Sequence, residues 1–222
     1  MAAKLDLIIF DWDGTLIDSA AYIVECFQVA GEQLGWPART AAQIRDIIGL
    51  GWVEACRVLY PGYGDAELER LRLAYRDYFF SKPQPSKLFD GARDVLATLS
   101  QRYPLAIATG KSSAGLKVAL AETELRHYFA ACRSADETAS KPDPLMLREL
   151  MQELGVAPER TLMVGDTEYD MAMACNAGAG AVAVAYGVHE AERLLAYNPL
   201  ACIEAITQLP AVIERFEAME NP

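Results

Sequence analysis

Residues 5–19 read Leu5-Asp6-Leu7-Ile8-Ile9-Phe10-Asp11-Trp12-Asp13-Gly14-Thr15-Leu16-Ile17-Asp18-Ser19. Leu5–Phe10 is a short, nearly continuous apolar run, the pattern of a strand covered on both faces. It ends on two carboxylates, Asp11 and Asp13, followed by Gly14 and Thr15. Carboxylates beside apolar surface are costly unless paired or bound to metal. In open α/β sheets, however, ligands gather at the carboxyl ends of strands. There one carboxylate can attack an electrophile while the other handles a proton. Gly14 lets the backbone turn sharply and present amides to an anion. The plain alternative is a turn in which Asp and Gly serve turn geometry alone.

Outward from this stretch, further apolar runs read as buried strands: Leu105–Thr109, Thr161–Val164, Ala181–Ala185 and, more weakly, Ala130–Arg133. Between them lie helical patterns at Gly91–Gln101, Ser112–Glu122, Leu145–Leu154 and Tyr169–Ala177, with Asp143 and Pro144 as a start signal for the third. Alternating strand and helix predicts an α/β fold built on a doubly wound parallel sheet. Residues 17–88 break the rhythm. They carry helical patterns at Ser19–Leu34, after a Thr40/Gln43 capping box to near Ile48, at Trp52–Leu59 and at Asp65–Phe80. A stiff hinge, Lys82-Pro83-Gln84-Pro85-Ser86, closes the segment. The expected organisation is a Rossmann-like core from residues 1–16 and 89–222, with a small α-helical cap, 17–88, inserted after strand one. Residues after Glu190 read as a closing helical segment, mainly Ile203–Glu217.

Composition narrows the function. The formal net charge of −11 disfavours nucleic acid and anionic membranes as partners. No apolar run reaches the roughly 18–20 residues of a membrane span, and the N-terminal run is too short for a signal-peptide core, so the expected location is cytoplasmic. The five cysteines (26, 56, 132, 175 and 202) form no CxxC pair and read as small buried residues in a reducing compartment. The two histidines, His127 and His189, exclude a His-rich metal site and read as surface or loop residues. No heptad pattern points to an oligomer; monomer and homodimer fit equally well.

Three more segments carry chemistry. Thr109-Gly110-Lys111-Ser112 ends the second strand, where a hydroxyl and free amides could bind phosphate oxygens. It resembles a P-loop tail, but that pattern requires Gly where Leu105 stands. A helix N-terminus capped by Ser112 explains it equally well. Lys141, in a loop stiffened by Pro142 and Pro144, could aim a fixed positive charge into a site or be a solvated loop Lys. Gly165-Asp166-Thr167-Glu168-Tyr169-Asp170 places carboxylates after another strand, a donor set suited to Mg2+. Helix capping by Asp166 or Thr167 is the alternative. Gly178-Ala179-Gly180 matches a dinucleotide fingerprint by letter but lies in helix-to-strand order, so it reads as a tight turn.

Taken together and in this order, Asp11-Trp12-Asp13-Gly14-Thr15, Thr109, Lys141 and Gly165–Asp170 resemble the haloacid dehalogenase-like hydrolase superfamily, closest to its phosphoglycolate phosphatase-like members. The resemblance runs from the first strand to about Gly187. It implies Asp11 as nucleophile and Asp13 as general acid and base. It implies Thr109, Lys141 and the Gly110 amide as phosphoryl-binding groups. Mg2+ would be held by Asp11, Asp166 and the Asp13 main-chain carbonyl, with Asp170 in support. A second Asp at position 13 points to phosphate esters and away from dehalogenation. Gly110 departs from the Asn many relatives carry, which puts one phosphate contact in question. The implied activity is hydrolysis of a small phosphorylated metabolite, phosphoglycolate-like or a sugar phosphate, through an aspartyl-phosphate. A sugar phosphomutase of the same fold and a non-catalytic phosphate-binding protein are the alternatives. In the cap, Gly49-Leu50-Gly51-Trp52 is a candidate specificity loop, or a plain helix linker with Trp52 in the cap core. Arg45 is a candidate for touching a substrate anion, or a solvated Arg.

Overall fold

All four side chains of strand β1 (Leu7–Phe10) are buried, and they divide by the two-residue period of a strand. Ile8 and Phe10 join one apolar cluster with Leu105, Ile107, Val164 and Leu96. Leu7 and Ile9 join another with Met146, Leu150, Met163 and Met173. Such a strand is stable only at the centre of a sheet covered on both faces. In the computed structural model, which describes residues 5–82 and 87–219, β1 has that position.

After β1 come α1 (Ala20–Gln33), α2 (Ala41–Arg45), α3 (Trp52–Leu59) and α4 (Asp65–Ser81). The chain then alternates: α5 (Ala92–Leu99), β2 (Leu105–Thr109), α6 (Ser113–Thr123), β3 (Phe129–Ser134), α7 (Leu145–Leu154), β4 (Thr161–Gly165), α8 (Glu168–Ala177), β5 (Gly180–Val184), α9 (Ala191–Leu195), β6 (Ala201–Ile203) and α10 (Leu209–Met219). The strands form one parallel sheet in the order β3-β2-β1-β4-β5-β6. The order reverses between β1 and β4, so the crevice beyond their carboxyl ends is the expected ligand position. Phe10 pairs with Val164, and the Asp11 N–H donates to the Val164 carbonyl at 2.9 Å. That register brings the chain after β1 beside the chain after β4.

Helices α1 to α4 gather around their own apolar cluster, which includes Phe27, Ile44, Ile47, Cys56, Tyr60 and Leu71. The Thr40/Gln43 capping box is present at the start of α2, but the helix ends at Arg45 and residues 46–49 continue as turns. Of the expected hinge, residues 83–86 lie outside the described residues. Asp143 Oδ1 accepts from the Leu145 N–H at 2.9 Å, the local start signal of α7.

The fold corrects several expectations. β6 lies where only a helical segment is expected. It is a three-residue edge strand, too short for a periodic pattern, and it exists because Val184 and its neighbours pair with it. β1 begins at Leu7, β5 is shifted to Gly180–Val184, and β3 is longer at both ends than the apolar run within it. Cys175 is exposed, unlike Cys26 and Cys56. His189 sits in a loop but is buried: its Nδ1 accepts from the Glu168 N–H at 3.1 Å. Among the described residues, no helix is long and apolar enough to cross a membrane.

Substituting Ile9→Ala should cost about 2–5 kcal/mol in urea unfolding, the range for opening a cavity at a fully buried aliphatic position. Val53→Ala, at an exposed position, should change stability by less than about 0.5 kcal/mol.

Candidate active site

Three carboxylates meet in the crevice beyond β1 and β4. One oxygen from each of Asp11, Asp166 and Asp170 lies within 4.8 Å of the others, and all three residues are buried. One cation is locked among them. The Lys141 ammonium, also buried, stands 2.7 Å from Asp11 Oδ1 and 2.6 Å from Asp170 Oδ1. If all three were ionised, three carboxylates against one ammonium would leave two negative charges in excess at low dielectric. Burial pushes the Asp11 carboxyl up to about 7, with Asp170 adding to the rise and Lys141 opposing it. Burial, then the charges on Asp11 and Asp170, hold Asp166 well above the ordinary carboxylate range. Burial works against the Lys141 ammonium, but its two carboxylate partners outweigh burial and keep it charged.

The remaining polar contacts show which oxygens are free. Asp166 Oδ1 accepts from the Thr15 hydroxyl at 2.8 Å, and Oδ2 from the Val188 N–H at 2.9 Å. Asp170 Oδ2 accepts from both the N–H and the hydroxyl of Thr167, the N-cap of α8, at 3.0 and 2.7 Å. Asp170 therefore spends both oxygens on protein groups. Asp11 Oδ2, by contrast, is buried with no hydrogen-bond partner. An orphaned carboxylate oxygen beside a second carboxylate fits a divalent cation, and it fits an electrophile equally well. The Gly14 backbone, at φ +90°, completes the cradle: a Cβ there would lie 2.2 Å from Asp166 Oδ2, so no other residue is accommodated.

Asp13 stands apart from this cluster. Its carboxylate accepts from the Ser19 hydroxyl at 2.8 Å and pairs with the Lys111 ammonium at 3.1 and 3.3 Å. Thr109 ends β2 and is buried; its Oγ1 accepts from the Lys111 N–H at 3.1 Å, which leaves its own hydrogen to donate. Gly110 has a steric reason to be Gly. A Cβ would lie 2.4 Å from the Leu50 carbonyl oxygen and 2.5 Å from that of Gly49, so the helical insert occupies the space a side chain would fill.

Asp11, Asp13, Thr109 and Gly110 line one end of a cleft of about 400 Å3 whose walls come from α1, α3, α4 and α6. Gly49 and Trp52 also line it. Trp52 stacks on Phe27 inside the helical cluster, with ring centroids 5.2 Å apart, and lines the cleft. Gly51 does not line the cleft; its N–H donates to Ser140 Oγ at 2.8 Å, tying the insert to the loop that carries Lys141. Arg45 is exposed and is not among the residues lining the cleft. Another tie between insert and sheet joins Arg193 to Asp46 and Glu168, each at 2.6 Å, and the Tyr169 hydroxyl donates to the Asp46 carbonyl at 2.8 Å. Lys111, Thr15, Ser19 and Arg193 are not among the sequence candidates, because each acts through a partner remote in sequence or gives no local pattern.

Replacing Asp166 by Asn removes one of the crowded charges while keeping an acceptor for Val188. Metal-free Asp166→Asn should be more stable than wild type by on the order of 1 kcal/mol. Thermal denaturation should also show that a divalent cation stabilises wild type and no longer stabilises the variant.

Known proteins resemble this chain over most of its length. A family profile described as haloacid dehalogenase-like hydrolase matches residues 8–184. The chain is 36% identical over 211 residues to a protein named Probable phosphatase IndB from Dickeya dadantii, covering 91% of each. It is 32% identical over 223 residues to a phosphoglycolate phosphatase from Aliivibrio fischeri, covering 96% of this chain and 98% of that protein. Among solved structures, a haloacid dehalogenase-like family hydrolase from Streptococcus pneumoniae aligns with a TM-score of 0.81 and 28% identity, over 93% of this chain and 97% of that one. The profile match takes in Asp11, Asp13, Thr109, Lys141, Asp166 and Asp170, and the protein belongs to the haloacid dehalogenase-like hydrolase family.

Proposed function

We propose that the protein is a Mg2+-dependent phosphatase that hydrolyses a small organic phosphate monoester through an aspartyl-phosphate on Asp11. The observation that carries this reading is the buried Asp11 carboxylate, with one oxygen on Lys141, the other without a hydrogen-bond partner, and the Asp166 and Asp170 carboxylates within 4.8 Å. The phosphatase names of the relatives support it.

Asp11 and Asp166 would hold the ion, with Asp170 fixing Lys141 from behind. Bound there, Mg2+ would offset the two excess negative charges and the charge of an incoming phosphate. A carboxylate oxygen of Asp11 attacks phosphorus; the ester P–O bond breaks, and Asp13, which enters this step protonated instead of as the anion paired with Lys111, gives the departing oxygen its proton. Water then attacks the aspartyl-phosphate while Asp13 takes its proton. The acyl-phosphate P–O bond breaks, inorganic phosphate leaves and Asp11 is restored. The Thr109 hydroxyl, the Gly110 N–H and Lys141 steady the phosphoryl oxygens, a demand of phosphoryl transfer that is mostly positioning and charge. Residues 17–88 act as the cap that chooses the substrate and excludes water. A sugar phosphomutase would use the same acids, but the mostly apolar cleft walls offer a polyhydroxylated substrate few partners, which favours hydrolysis.

The test is Mg2+-dependent phosphate release from an aryl phosphate, phosphoglycolate, sugar phosphates and pyrophosphate. Asp11→Asn should lower kcat by at least about 1,000-fold while retaining a cooperative thermal transition. Turnover by that variant near the wild-type rate would overturn the assignment. Phosphorus NMR of a sugar 1-phosphate reaction should show free phosphate and no transferred ester.

A further inference from the structure

Resting on the phosphatase reading above, we propose that the substrate's leaving group is an aromatic or similarly bulky apolar group seated against Phe27, Trp52, Tyr75 and Phe79. Asp11, Asp13 and Thr109 line the same cleft as these rings, which places the rings within reach of whatever is esterified to the phosphate. The rings form a connected wall. Phe27 meets Trp52 and Tyr75 at centroid distances of 5.2 and 4.9 Å, and Tyr75 lies 6.2 Å from Phe79 in a stacked arrangement. Spacings of this kind also suit a further ring, by stacking or edge contact. The rim is apolar on two sides, with Phe80 on α4 54% exposed and Val118 on α6 41% exposed.

The charged residues of the cleft argue in the same direction. Lys111, nearest the phosphate end, is held by both oxygens of Asp13. Arg72 is held by both oxygens of Glu69 at 2.7 and 2.6 Å. Arg76 is exposed, 3.5 Å from Asp77. A carboxylate one carbon from the phosphate would have to compete with these acidic partners, and a ring of hydroxyls would face walls that are mostly apolar, whereas an aromatic group needs neither. A cleft of about 400 Å3 is also generous for so small a substrate, lying within the roughly 300–1,000 Å3 of pockets that bury larger organic ligands.

The test compares n-propyl phosphate with 3-phenylpropyl phosphate, which share an alkoxide leaving group, and sets both beside glycerol 3-phosphate and phosphoglycolate. The Mg2+-loaded enzyme should prefer 3-phenylpropyl to n-propyl phosphate by at least about tenfold in kcat/KM, and should rank it above both polar esters. Phe79→Ala should shrink that ratio toward one. Calorimetry with 3-phenylpropylphosphonate and methylphosphonate reads the same preference without turnover. Equal or better kcat/KM for phosphoglycolate or glycerol 3-phosphate, or equal binding of the two phosphonates, would overturn the inference. Preferential binding of the phenylpropyl compound with no phosphate released from any ester would keep the aromatic wall as the ligand-binding surface and remove the phosphatase reading instead.

Discussion

The confinement of three carboxylates around one ammonium governs the rest of this structure. Asp11, Asp166 and Asp170 cannot share a buried crevice without repulsion, and Lys141 cancels only part of it. Nothing in this arrangement improves folding; apolar residues of the same volume would be tolerated at least as well. Its stability comes from elsewhere, from the two apolar layers on either side of the sheet and from fixed donors that hold the carboxylates in place: Thr15, Thr167 and Val188. The protein carries a local electrostatic cost at the point where its sheet changes direction, and a rigid fold sustains it.

The helical insert depends on the same crevice. Its helices share one apolar cluster, against which Val188 also packs, and it touches the rest of the chain at selected points. The Gly49 and Leu50 carbonyls press against Gly110, Gly51 reaches Ser140, and Asp46 meets Arg193 and Tyr169. These contacts cover the polar end of the cleft with an aromatic wall. In the proposed phosphatase, the polar end would set the kind of chemistry, and the wall would set the shape and polarity of what can be brought to it.

Much of this was readable in the residues. Continuous apolar runs marked the central strands because a strand buried on both faces has no polar side to show. The carboxylates stood out because they followed those runs at once, where solvation alone would not explain them. What the chain hid are properties of space. β6 is three residues long and owes its existence to β5. The Lys111–Asp13 and Arg193–Asp46 pairs span 98 and 147 positions and leave no local pattern. Gly110 read as a lost phosphate contact, whereas its backbone is crowded by the insert, a relation only the folded chain can show. The aromatic wall was visible only as scattered members of helical faces, any of which could have been ordinary core.

Hydrolysis through an aspartyl-phosphate requires Asp11 to form a covalent bond to phosphorus. Acid-quenching the Mg2+-loaded enzyme during turnover of an aryl phosphate, followed by peptide mass spectrometry, tests that step directly. The prediction is one added phosphoryl group, labile to hydroxylamine, on the peptide containing Asp11. A phosphoryl group on any other residue, or none while phosphate is released at full rate, would contradict it.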